Sequence, residues 1–337
     1  MPFDCPDRAP RPDGPSRRLL RGLVTAAALL CTVPAVAQTL SIGVARSPLS
    51  LPIYVAEAEG LFREEGLDVR TTECVGGQRC IGLVFDGRTD LATVGDVPVM
   101  LASFKRSDFV VIATMATTSE DLKLIASRVS GVRAATQLGG RRIGLTVGTA
   151  GQYFLDTLLL MHGVEPREVT LVPLQGEGLQ AAPESGQVDA VAAWEPFGYR
   201  IVRAMKQQAV VLPQAGNYTA TMNLVAQRAL AGPRDADLAR LLAALQRAEQ
   251  FILRHPDRAR AILARRLDAD DDFVRWVWPQ QVFRLSLDQA LLRTLESEAR
   301  WAIREGHAAG RAAPGFLAFL HRRPLSMVNP AAVGISR

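Results

Sequence analysis

Arg142-Ile-Gly-Leu-Thr-Val-Gly-Thr-Ala-Gly-Gln-Tyr-Phe-Leu-Asp156 reads as a strand, a tight turn and a helix start. Ile143 to Val147 form a short apolar strand, and Gly148 breaks it. Thr149 stands where a helix N-cap belongs, and Gln152 follows at the spacing of a capping box. Phe154, Leu158 and Met161 then recur at helical spacing, so one helix face is apolar. Such a junction leaves backbone N–H groups unpaired at the carboxyl edge of a sheet, where the helix dipole also favours negative charge. Thr149 and the N–H groups of Ala150 and Gly151 are therefore candidate holders of an anionic group. A cap and nothing more would be the sufficient reading of one such turn alone, but the rest of the chain supplies a matching half.

Before this stretch, apolar runs at Leu40–Val44, Leu67–Thr71, Leu91–Val94 and Val110–Met115 alternate with helical patterns at Ile53–Glu59, Gln78–Phe85 and Val97–Phe104. Asp96 is placed to N-cap the last of these helices. This alternation predicts a mostly parallel sheet covered on both faces. Met115–Asp121 reads as a polar crossing, after which the pattern restarts. Strands are expected at Leu122–Ala126, Ile143–Val147, Val169–Pro173, Ala190–Ala193 and Val210–Leu212, with helices at 150–162, 177–185 and 197–206. Residues 214–220 read as a return crossing and Thr221–Ala226 as a strand rejoining the first unit. The remainder reads as helical, with Leu238, Leu241, Leu242, Leu245, Ala248 and Ile252 on one apolar face. The expected fold is α/β with two lobes, residues 38–118 with 219–337 forming one and 119–218 the other. They flank a hinged cleft, and extra C-terminal helices follow.

The chain has 337 residues, 48% hydrophobic and 22% charged, the balance of an ordinary globular protein. Its formal charge of +5 is spread along the chain without a basic, aromatic-interleaved block, which disfavours nucleic acid as a partner. Arg17, Arg18 and Arg21 precede an apolar run from Leu19 to Val33, and Ala35-Val36-Ala37 has the small-residue pattern of a cleavage site. Residues 1–37 are therefore expected to be a secretory signal peptide, which places the mature protein in the periplasm. Cys5 and Cys31 leave with it. Cys74 and Cys80 remain as an even pair in an oxidising space, with Val75-Gly-Gly-Gln-Arg79 between them, and are expected to form a disulfide. His162, His255, His307 and His321 are scattered without ligand spacing, so no metal site is expected. Neither a G-x-S-x-G elbow nor a Cys/His pairing appears, so neither an enzyme nor a cofactor is expected.

Ligands in open α/β sheets bind beyond the carboxyl ends of strands. The candidate loops are Arg46–Leu51, Gly76–Arg79, Asp96–Val97, Thr117–Thr118, Gly148–Tyr153, Trp194–Pro196 and Asn217–Tyr218. Within them the ligand-binding candidates are Ser47, Leu49, Gly77, Asp96, Thr117, Thr149, Ala150, Gly151, Trp194, Glu195 and Asn217. Trp194 either stacks on a ligand or fills the lobe, and Glu195 pairs either with a ligand amine or with a basic residue across the cleft. Asp96 is a plain N-cap unless it also faces the cleft, where it would favour a cationic or N–H-donating ligand end.

Ile53-Tyr-Val-Ala-Glu-Ala-Glu-Gly-Leu-Phe-Arg-Glu-Glu-Gly-Leu-Asp-Val69 resembles the opening of the periplasmic substrate-binding proteins of ABC importers, of the nitrate/sulfonate/taurine type. That group is related to binders of thiamine-pyrimidine precursors. Asp86–Ala92, Gln137–Gly144 and Gly186–Pro196 are similar to further signatures of the group, in the right order over nearly the whole mature chain. The resemblance implies a type II periplasmic-binding-protein fold that closes on its ligand. It implies capture of a small anionic or zwitterionic solute by a monomer, and delivery to a permease in the inner membrane. A ligand-presenting adaptor for a membrane sensor, or a binder of thiamine-pyrimidine precursors, is the alternative. Asp96 and the Cys74/Cys80 pair are not general features of the group.

Overall fold

The computed structural model describes residues 38–213, 218–308 and 312–335. The expected signal peptide therefore lies outside the described residues. Among the described residues twelve strands build two sheets. The first four are β1 (Gln38–Ala45), β2 (Leu67–Cys74), β3 (Leu91–Gly95) and β4 (Phe109–Thr118). The next five are β5 (Leu122–Ser127), β6 (Arg142–Leu145), β7 (Thr170–Pro173), β8 (Ala190–Trp194) and β9 (Ala209–Val211). The last three are β10 (Ala220–Gln227), β11 (Val282–Asp288) and β12 (Val333–Gly334). One sheet has the order β12-β11-β4-β10-β3-β1-β2 and the other β7-β6-β8-β5-β9. Sheet membership changes between β4 and β5 and again between β9 and β10.

The first sheet is mixed. β1 runs parallel to β2 and β3, but β10 is inserted antiparallel between β3 and β4. A returning strand that fills the gap between two parallel neighbours buries both its faces, and Ala220 through Ala226 are all buried. The expectation of a wholly helical C-terminal part does not hold: β11 pairs antiparallel with β4, and β12 follows on β11. In Val282-Phe-Arg-Leu-Ser-Leu-Asp288, Leu285 and Leu287 face the core while Val282 and Arg284 are exposed. That is the period of a strand rather than of a helix. The expected helix at 177–185 is also shorter, Ala181–Glu184, preceded by a 3-10 turn at Gly176–Gly178.

The helix Asp235–Arg254 buries Leu238, Leu241, Leu242, Leu245, Ala248 and Ile252, the face its spacing predicts. The helix Gln289–Arg304 matters for the site because its side of the molecule meets the helix Ala150–Met161. Trp301 Nε1–H donates to Asp156 Oδ2 at 2.9 Å, and the Tyr153 ring stands edge-on to the indole at 5.3 Å.

Cys74, at the end of β2, is bonded to Cys80 in the helix Gly77–Phe85, with Cα atoms 5.4 Å apart. Closing a loop this short contributes about 2 kcal/mol on the chain-entropy account. Thiol titration of the unreduced, denatured mature protein is expected to find no free thiol, and Cys74→Ala/Cys80→Ala is expected to lose about 2 kcal/mol in urea unfolding. Two reactive thiols before reduction would sink this expectation.

Candidate ligand-binding site

β6 stops at Leu145, and Gly148 turns the chain in the left-handed region, φ +71°. Thr149 is extended (φ −119°, ψ 170°) and holds the N-cap position of the helix Ala150–Met161. The side chains do not form the expected capping box. The Thr149 hydroxyl donates to the Thr146 carbonyl at 2.6 Å, and Gln152 Oε1 accepts from the Gly148 N–H at 2.9 Å. This arrangement occupies the Gly148 N–H but leaves three others. Among the described residues no acceptor meets the N–H of Thr149, Ala150 or Gly151. Three adjacent donors at the start of a helix form an anion cradle made of backbone alone.

The cradle opens on a cavity of about 80 Å³ between the two sheets. Ser47, Leu49, Gly76, Gly77 and Asp96 line it from the first sheet's side. Thr149, Ala150, Gly151 and Trp194 line it from the second, Asp121 comes from the first crossing and Thr221 from the start of β10. Gly77 is required to be small, because a Cβ there would lie 2.8 Å from Pro98 Cγ. Arg46 also lines the cavity, but its guanidinium is committed: Nη2 donates to the Leu267 carbonyl at 2.9 Å, and Nη1 lies 3.9 Å from Glu73.

Asp96 is fully buried and is not the N-cap, a position held by Gly95. Its Oδ1 accepts from the Tyr218 hydroxyl and the Val97 N–H, and its Oδ2 from the N–H and hydroxyl of Thr221. A side chain spent in this way ties the helix Asp96–Ser103 to the return crossing. Burial pushes its carboxyl above the ordinary range, while the bonds from Tyr218, Thr221 and Val97 pull it back. Glu298, wholly buried on the helix Gln289–Arg304, adjoins Asp96, and neither of its oxygens makes a well-formed hydrogen bond. Burial first, and the Asp96 charge second, push it well above the usual range.

The remaining expected residues fall elsewhere. Thr117 lines a neighbouring groove with Tyr153 and Tyr218 instead of this cavity. It is paired with Thr221 in the ladder. Glu195 is turned inward, its carboxylate accepting from Trp276 Nε1 at 2.8 Å and the Tyr199 N–H at 3.0 Å, and it does not line the cavity. Asn217 lies outside the described residues. Asp121 was not among the sequence candidates, although it ends the polar crossing Met115–Asp121 and lines the cavity.

Contacts run between the two sheets beside the cavity. Gln78 Nε2 donates to the carbonyls of Val147 and Gly148 at 3.1 and 2.8 Å. Arg79 Nη1 pairs with Glu177 Oε1 at 2.8 Å. Both residues sit on the helix that Cys80 anchors to β2, so the disulfide holds a latch against the anion cradle.

A family model described as NMT1/THI5 like matches residues 47–259, more than half of the chain. The chain belongs to the NMT1/THI5-like family. The chain of this NMT1/THI5-like protein is 28% identical over 166 residues to a putative aliphatic sulfonates-binding protein of Bacillus subtilis, covering 48% of this chain and 49% of that one. It is 24% identical over 189 residues to the taurine-binding periplasmic protein of Escherichia coli, covering 56% and 57%. These matches span about half the length of those relatives. The alkanesulfonate-binding protein SsuA of Xanthomonas axonopodis pv. citri, solved bound to MOPS, superposes with a TM-score of 0.74 at 19% identity, covering 84% of this chain and 98% of that one. The fold is the two-lobed, type II periplasmic-binding-protein fold.

Proposed function

We propose that this NMT1/THI5-like protein is the periplasmic solute-binding component of an ABC import system. It captures a small anionic or zwitterionic solute of the sulfonate or taurine type between its lobes and delivers it to a membrane permease. The observation that carries the reading is the three unpaired N–H groups of Thr149, Ala150 and Gly151, which open on a small cavity lined from both sheets. Such donors suit a sulfonate or carboxylate, and each hydrogen bond to a charged group contributes about 1.5–3 kcal/mol. The names of the sulfonate- and taurine-binding relatives support the ligand class and the compartment. The Cys74–Cys80 bond suits an oxidising compartment. The Thr221 hydroxyl donates to the Asp96 carboxylate at 3.2 Å, but that carboxylate also accepts from Tyr218, Val97 and the Thr221 N–H, and the reading is capture without turnover.

The test is a thermal-shift screen of the mature protein against alkanesulfonates, amino-sulfonates, nitrate, bicarbonate and pyrimidines, followed by solution scattering with each hit. At least one small anion or zwitterion is expected to raise the melting temperature with dose and to reduce the radius of gyration. No hit, or a hit at saturation with an unchanged radius, counts against a closing clamp.

A further inference from the structure

We propose that Asp121 reads a cationic group on the ligand, so that the preferred solute is a small ammonium-bearing acid and not a simple anion; this inference rests on the binding reading above. Asp121 closes the first crossing, just before β5, and is 8% exposed. It lines the same cavity as the backbone cradle, and its Oδ1 has no hydrogen-bond partner. A buried carboxylate oxygen left without a donor is costly, and a positively charged ligand group removes that cost.

Among the described residues no cation takes this place. Lys123 Nζ is bound to the carbonyl and carboxylate of Glu120 at 2.7 and 2.5 Å, and Arg46 is committed to Leu267 and Glu73. Asp96 lines the cavity too, but its two oxygens already accept four hydrogen bonds, so it has little capacity for a ligand. Trp194 adds an aromatic ring to the lining, a favourable neighbour for an ammonium group. The cradle donates and Asp121 accepts, so only a solute carrying both charges satisfies the whole site.

The charged groups around Asp121 are Glu195, Lys123 and Asp96. Burial first, then the Glu195 charge, holds the Asp121 carboxyl up at about 7, against the opposing pull of Lys123. Pairing with an ammonium group favours the ionised form, so ligand binding near pH 7 is expected to release a proton.

The experiment is calorimetry at pH 8 on matched pairs that differ by one amine: taurine and ethanesulfonate, β-alanine and propionate, 2-aminoethylphosphonate and ethylphosphonate. In at least one pair the amine-bearing member is expected to bind tenfold or more tightly, the scale of one charge-assisted hydrogen bond. Asp121→Asn is expected to reduce that ratio to within twofold. The substitution removes a buried charge, so folding is expected to persist, and a thermal melt checks it. Titration of wild type at pH 7 in two buffers of different ionisation enthalpy is expected to show proton release that Asp121→Asn lacks. Binding of amine-free members with no gain from the amine would overturn this inference and leave the binding reading standing. An amine gain that survives Asp121→Asn overturns the role of Asp121. No binding by any of the six overturns this inference, and the broader screen above then decides the binding reading.

Discussion

Trp301→Ala is expected to destabilise the protein by about 3–5 kcal/mol, the range for deleting a large buried aromatic side chain. The indole is 2% exposed and belongs to the helix Gln289–Arg304. Its neighbours are the Tyr153 ring at 5.3 Å, on the helix that starts at the anion cradle, and the His307 ring at 4.8 Å. Among the described residues its Nε1–H is the one side-chain donor that reaches the Asp156 carboxylate, whose other oxygen has no partner. Truncation therefore opens a cavity and strands a buried acid at once. Trp301→Phe keeps most of the packing and loses the hydrogen bond, so it is expected to cost less than half as much. Urea unfolding of the three proteins at pH 7.5 tests this. A loss under about 1.5 kcal/mol for Trp301→Ala would mean that the contact between the two helices does not stabilise the fold.

Asp156→Asn is expected to act in the opposite direction, and only above the pH at which the carboxylate of the unfolded chain ionises. Burial is the main reason that the Asp156 carboxyl titrates at about 6; the Trp301 bond lowers it and the nearby Glu305 raises it. In the unfolded chain the group ionises near its ordinary value of 3.8. Between these two pH values the folded state holds a proton that the unfolded state has released, so wild type loses stability as pH rises through the window. The loss is complete above about 6 and approaches 3 kcal/mol at one unit per 1.36 kcal/mol. Asparagine keeps an acceptor for Trp301 and carries no charge. The variant is expected to gain about 2 kcal/mol over wild type at pH 7.5 and nothing at pH 3.5. Paired urea unfolding curves at the two pH values measure the difference. An equal gain at both, or a loss at pH 7.5, would show that ionisation of Asp156 costs the fold nothing.

The two-lobed plan was legible because its elements are locally marked. Gly60, Gly87 and Gly148 break periodic segments, and all three have positive φ in the structure. The face of the helix Asp235–Arg254 followed from leucine spacing alone. β11 was not legible, because Val282–Asp288 is short and lies among helical patterns. Pairing with β4, not local propensity, decides its state. At the site, several of the loops after strands line the cavity, and the unpaired N–H groups at 149–151 lie at the helix start that the turn chemistry marked. What the side chains do there was not legible. Thr149 holds the expected N-cap position, but its hydroxyl, expected to face an anionic group, donates to the Thr146 carbonyl, and Glu195 was expected in the cleft but serves Trp276 and Tyr199. Asp121 was missed because a carboxylate in a crossing normally faces water; only the tertiary fold encloses it.

The position of β10 also governs the order in which the molecule can be made. Strands β5 to β9 form a continuous run of chain, so the second sheet has all its partners once residue 211 has been synthesised. The first sheet does not. Its strands β3 and β4 are both complete by residue 118, yet in the finished sheet they are not neighbours, because β10 lies between them. Until residue 227 arrives, each of the two presents an open edge, and pairing them directly with each other would be a dead end that must come apart. The lobe that begins the chain is therefore the lobe that finishes last.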